Sequence, residues 1–277
     1  SFYGISFSDN DEKWAYVLTA ILNSSLTTFQ LAFGGAAWGL ERPTVEPNDV
    51  LAIRVPDLRT ADSADLAAVV KAERNAAANP DDPEALEALD QAVFDLYELE
   101  RDETVIARES IIRARMLLLE GRAQRLAFVK TPDVAALTAY AGEVIRVVNA
   151  FLRAKRVRHL EAVVYSRRIV AGNIVDGIPG ITAVKFMMVP GAATDEPIVH
   201  LGDNTDMERL GAVLRGQNKL DVPPYLNERR QLRIYGDNEL LVLKPSEVRY
   251  WMRTTGLNDA DVILADHWMK DRHAVHS

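Results

Sequence analysis

The chain has 277 residues, 48% of them hydrophobic and 26% charged, a balance that supports a sizeable core and excludes disordered, collagen-like and coiled-coil classes. With no cysteine, disulfides, thiolate zinc sites and a cysteine nucleophile are all excluded, and the net charge of −8 argues against coating nucleic acid by bulk attraction. No apolar run approaches the ~20 residues of a bilayer span, and no basic-then-apolar secretory signal opens the sequence, so a soluble, cytoplasmic protein of one large or two smaller domains is expected.

Ser1-Phe2-Tyr3-Gly4-Ile5 is already apolar and lacks an initiator methionine, which reads as a piece of a longer protein. Over residues 11–33, Trp14, Val17, Leu18, Ile21, Leu22, Leu26 and Phe29 recur at helical spacing, predicting a helix with one buried face, capped by Asp9, Asn10 or Asp11. The glycine-broken run 33–39 ends it, and Pro43, Pro47 and Pro56 bracket a predicted strand at 50–55. Residues 61–78 read as an exposed helix followed by the turn Asn79-Pro80-Asp81-Asp82-Pro83. Asp82 and Pro83 then form a cap and first-turn pair for a helix with Leu86, Leu89, Val93, Phe94 and Tyr97 on one face. Two more helices are predicted at 104–125, with Ile111, Ile112, Met116 and Leu119, and at 133–156, with Leu137, Tyr140, Val144, Val148 and Phe151. β-Branched runs at 162–165 and 181–189 predict strands around Asp176-Gly177 and Pro179-Gly180. A short helix at 207–215 precedes strands at 231–235 and 240–243, joined by Gly236-Asp237-Asn238. A helix begun by Pro245-Ser246 and carrying Trp251, Leu257, Ile263 and Trp268 closes the chain. The expected fold is α+β, a central helical block followed by a small mixed or antiparallel sheet domain, divided into 1–156 and 157–277.

Several segments suggest chemistry without its context. The 33–39 run is glycine-rich, but a dinucleotide loop needs a strand before it and a helix after it, and here a helix precedes and prolines follow. Asp221-Val222-Pro223-Pro224-Tyr225 resembles the Asn/Asp-Pro-Pro-Tyr loop of amino-methyltransferases, yet Val222 separates the acid from the prolines, so acid and ring would not converge on one base. Asp259 and Asp261 stand two apart and cannot share a helix face. Ser24 and Ser25 lack a glycine elbow, and His159 and His200 each stand alone in sequence. No catalytic residue, metal site or cofactor site is expected within the chain.

Two stretches carry a family resemblance. Leu18-Thr19-Ala20-Ile21-Leu22-Asn23-Ser24-Ser25-Leu26, followed by the glycine-broken run, Arg42-Pro43 and a segment closing on Val55-Pro56, resembles the start of the target-recognition region of bacterial N6-adenine DNA methyltransferases. Residues 89–99, Leu-Asp-Gln-Ala-Val-Phe-Asp-Leu-Tyr-Glu-Leu, with Glu103 and Ile106 beyond, are similar to a recurrent helix of that family, in the same order. The resemblance spans residues 10–112. It implies the C-terminal part of a restriction-modification or phage-defence methylase, with S-adenosylmethionine and the catalytic motifs belonging to a missing domain. The implied partners are duplex DNA, that catalytic domain and other subunits of a defence system, with no membrane.

The charge is unevenly distributed. Residues 1–100 hold six Lys and Arg against 18 Asp and Glu, 101–168 hold 14 against seven, and 169–277 hold 12 against 15. Such a central basic island marks an interaction surface or a solvated helix face, and the resemblance implies that it contacts phosphates, through Arg113, Arg115, Arg122 and Arg125 on one predicted helix, then Arg153, Lys155 and Arg156. A second expectation is a protein-interaction module that docks a partner subunit through the helical block.

Overall fold

The structure is a computed structural model that describes residues 12–34, 47–114, 130–152, 158–165, 181–202 and 231–274. It is α+β, with eight helices among the described residues and a five-stranded mixed sheet in the C-terminal half. The chain divides into two compact units, Ser1–Gln124 and Arg125–Ser277. This division falls before the 133–156 helix, whereas the sequence boundary at 156/157 falls after it. The reason is packing: the apolar stripe of that helix is covered by the sheet.

The first unit is helical: α1 (Glu12–Asn23), α2 (Ser25–Gly34), α3 (Pro47–Leu51), α4 (Ser63–Ala78), α5 (Pro83–Leu96) and α6 (Arg101–Ala114). Its core gathers Val17 and Ile21 of α1, Leu26 of α2, Leu66 and Val69 of α4, and Leu89, Val93 and Phe94 of α5. Caps set the helix starts. Asp62 accepts from the Ala64 amide at 2.7 Å, and Asp82, before Pro83, accepts from the Glu84 amide at 3.1 Å, so each satisfies a donor that the first turn leaves unpaired. Four expectations are corrected. The 11–33 helix is two helices bent by 56°, Leu22 is only half-buried, and Leu86 and Ile112 are exposed. At 50–55 there is no strand: Pro47 opens the short α3, and an irregular segment follows.

The second unit consists of α7 (Val134–Leu152), β1 (Arg158–Val164), β2 (Ile181–Pro190), β3 (Val199–Leu201), β4 (Leu232–Tyr235), β5 (Glu239–Pro245), a 3-10 turn (Val248–Tyr250) and α8 (Arg253–Ala274). The strand order is β3-β1-β2-β5-β4, with β3 parallel to β1 and every other pairing antiparallel. The last helix therefore starts later than Pro245, because β5 runs through that residue. Strand alternation sorts the side chains. Leu160, Ala162 and Val164, Val184 and Phe186, and Leu240 and Val242 pack with α7 and α8, whereas Val163, Tyr165, Ile181, Ala183 and Leu243 form a separate cluster. Leu160, beyond the reach of β3, has its main chain satisfied by Asn149 of α7, at 2.6 and 3.1 Å. Gly256 permits the close crossing of α7 and α8, since a Cβ there would lie 2.7 Å from the Tyr140 carbonyl oxygen. After β2 the chain turns at Gly191, whose φ of +122° favours glycine.

By length and hydropathy, α7 could cross a bilayer, as could α1 and α2 if the bent pair is taken as one span. Within the fold α7 is a core helix: Leu137, Tyr140, Ala141, Val144, Ile145 and Val148 are buried. Its charged residues Glu143 and Arg146 pair with each other at 3.0 Å.

Candidate functional site

The stretches that carry the resemblance meet in the first unit. α1 ends where Ser24 turns its hydroxyl back to donate to the Ile21 carbonyl at 2.7 Å. Thr27 donates its own hydroxyl to the same carbonyl at 2.6 Å. These side-chain bonds to the backbone compete with helix continuation and fix the bend between α1 and α2. The Ser25 amide, at the open start of α2, then donates to Asp90 Oδ1 of α5 at 2.7 Å. A carboxylate from one helix thus caps another, where the helix dipole favours negative charge. Asn23 donates to Glu73 Oε1 of α4 at 3.5 Å. Burial pushes the Glu73 carboxyl up, and the Asn23 bond opposes this.

A second junction secures the segment before Val55-Pro56. Gln30 of α2 accepts from the Arg54 amide at 2.8 Å and donates to its carbonyl at 3.2 Å. Tyr97, after α5, donates to that carbonyl at 2.9 Å. Side chains therefore take the place of a strand ladder, and burial pushes the Tyr97 hydroxyl up from its ordinary value. Beside this junction lies a groove of about 620 Å³. Leu26, Phe29, Phe33, Ile53 and Arg54 contribute to its walls, and the Phe29 and Phe33 rings pack as a tilted pair with centroids 4.9 Å apart. The groove offers ring faces and shape to a ligand. Ser24, Thr27, Asp90, Gln30 and Tyr97 bond to backbone groups, an arrangement that acts as a scaffold, while Asn23 and Glu73 bond to each other through their side chains.

The second unit brings together residues that are separate in sequence. His159 and His200, expected to stand alone, both contact Glu161, at 3.0 and 2.9 Å. The His200 bond, ahead of His159, pulls the Glu161 carboxyl below its ordinary value, against some desolvation. This arrangement ties the short β3 to β1. Asp259 and Lys244, both buried, form an ion pair, with Asp259 also accepting from Tyr140 at 2.5 Å and from Gln231 at 3.0 Å. Burial pushes the Lys244 ammonium down, against the pull of Asp259, and pushes the Tyr140 hydroxyl well up. Sequence spacing missed both clusters because their members come together only through strand register and helix docking. Among the described residues no group of three or more His, Asp or Glu residues is placed to hold a metal.

The expected phosphate contacts Arg115, Arg122, Arg125, Arg153, Lys155 and Arg156 lie outside the described residues, as does the side chain of Arg113 on α6. So do 35–46, with Arg42-Pro43, and the loop 221–225. Compared with protein-family models, curated proteins and solved structures, the chain has no match.

Proposed function

We propose that this chain is the non-catalytic DNA-positioning and target-recognition part of an N6-adenine DNA methyltransferase, working in the cytoplasm beside a separate catalytic domain that binds S-adenosylmethionine. The observation that carries the reading is the convergence just described. The Leu-Asn-Ser-Ser bend, the segment before Val55-Pro56 and the 89–99 helix resemble the family in sequence and are joined directly by Ser25 to Asp90, Gln30 to Arg54 and Tyr97 to Arg54. Stretches shared for a common architecture would be expected to contact one another. The basic island then supplies phosphate contacts that fix register, while base readout falls to loops.

Anisotropy titration with a labelled duplex, at two salt concentrations, tests the reading. Binding that weakens steeply with salt, and about tenfold weaker binding by the Arg115→Ala/Arg122→Ala variant, are the expected results. Calorimetry should detect no S-adenosylmethionine binding by the chain alone, and micromolar binding would overturn the assignment. A second reading, a docking module for a partner subunit, draws on exposed apolar residues of the first unit, Phe33 at 62% and Leu51 at 82%. Salt-insensitive capture of a partner protein, without DNA binding, would select it.

A further inference from the structure

The first 100 residues carry only six Lys and Arg, and three of them, Lys13, Lys71 and Arg74, line one shallow groove of about 450 Å³ between α1 and α4. On α4 the lining residues Ala67, Val70, Lys71 and Arg74 follow the i, i+3, i+4, i+7 spacing of a single helix stripe. A separate stripe of the helix, Leu66, Val69, Glu73 and Ala76, is buried. After Asp65 the only acid on α4 is Glu73, on that buried side. The outward charge of this stretch is therefore positive, although the first 100 residues are strongly acidic.

Aromatic rings support the cations. The Arg74 guanidinium lies 4.6 Å from the Tyr16 ring centroid, and Lys13 Nζ lies 5.4 Å from that of Trp14. Stacking restricts the Arg74 rotamers before any ligand arrives, so less entropy is lost when its planar fork meets an anion. Neither Lys71 nor Arg74 forms an ion pair with an acid among the described residues.

We infer that this groove binds the phosphodiester backbone of duplex DNA, as a second contact line besides the basic island. The inference rests on the DNA-positioning reading above. Three cations in an open groove with an apolar floor suit a run of phosphates. A single small anion would call for enclosure and converging backbone N–H groups, and Ala67 and Val70, in mid-helix, offer neither. The contact carries no sequence information.

The test uses the full chain and a fluorescein-labelled 20-bp duplex at two salt concentrations. Lys71→Glu/Arg74→Glu should weaken binding at least tenfold and reduce the salt slope by about two. Arg59→Glu, a reversal at an exposed residue outside the groove, should change affinity less than twofold. Arg74→Lys, which keeps the charge and loses the stacked fork, should fall between parent and double variant. If the double reversal melts below the parent, Lys71→Gln/Arg74→Gln replaces it, with the same expected direction. Parent-like affinity and slope in the groove variants, while Arg115→Ala/Arg122→Ala is impaired, would overturn the groove and leave the DNA reading standing. A parent chain that does not bind duplex DNA would overturn both. Competition by polyglutamate as effective as by DNA of equal charge would overturn the phosphate assignment.

Discussion

At the scale of single residues, burial separates neighbours that sequence treats alike. Ile21 and Leu22 both fit the apolar stripe of α1, yet Ile21 is fully buried and Leu22 half-buried. Ile21→Ala should cost about 2–5 kcal/mol through lost transfer energy and a residual cavity, and Leu22→Ala clearly less; chemical denaturation of the two variants compares them directly. Glu73 is a different case: it is 5% exposed, and its Oε2 has no hydrogen-bond partner among the described residues. Its raised pKa means that the folded state prefers the protonated form. Its contribution to stability is therefore greatest below the ordinary value near 4.5 and is lost as pH rises through the folded value. Glu73→Gln should accordingly raise Tm at pH 7, by about 2–4 °C for each kcal/mol gained. The gain should shrink as the pH approaches 4, and an equal gain at both pH values would assign it to something other than ionisation.

At the scale of elements, the joint between α1 and α2 depends on a cap donated by a third helix. Asp90→Ala should cost about 1 kcal/mol by leaving the Ser25 amide at the start of α2 without its acceptor. Asp90→Asn, which keeps an acceptor oxygen, should cost less. Thermal melts of the two variants would separate the bond from the packing. A helix start with a local chemical cause was legible in sequence, as Asp82-Pro83 shows, and so was the β4–β5 hairpin around Gly236-Asp237-Asn238. Residues 50–55 were misread because an apolar run bracketed by prolines looks like a strand whatever satisfies its backbone. Here local bonds at the end of α3 serve Ala52 and Ile53, and the side chains of Gln30 and Tyr97, 24 and 43 residues away, serve Arg54. The junctions of the candidate site were not legible, because the bonds from Ser25 to Asp90, Gln30 to Arg54 and Tyr97 to Arg54 join stretches distant in sequence. The Lys13–Lys71–Arg74 groove was not legible at all: two of its cations share a helix stripe, but the third comes from a different helix.

At the scale of the molecule, the division between the units has a direct test. A fragment of residues 125–277 retains α7, whose buried face belongs to the same core as β1, β2, β5 and α8. It should melt cooperatively. A fragment of residues 157–277 lacks that helix and uncovers Leu160, Phe186 and Val242, so it should show no cooperative transition by circular dichroism. The reverse result would restore a boundary at 156/157. The bond between Tyr140 of α7 and Asp259 of α8 joins residues 119 positions apart, and in a chain being synthesised that separation is also a delay. At about 5–20 residues per second, Tyr140 is made roughly 6–24 s before Asp259, the acid that caps its hydroxyl. For that interval nascent α7 lacks the part of its cover that α8 supplies, although β1 and β2 are made sooner, so translation speed sets how long that part of its face stays open.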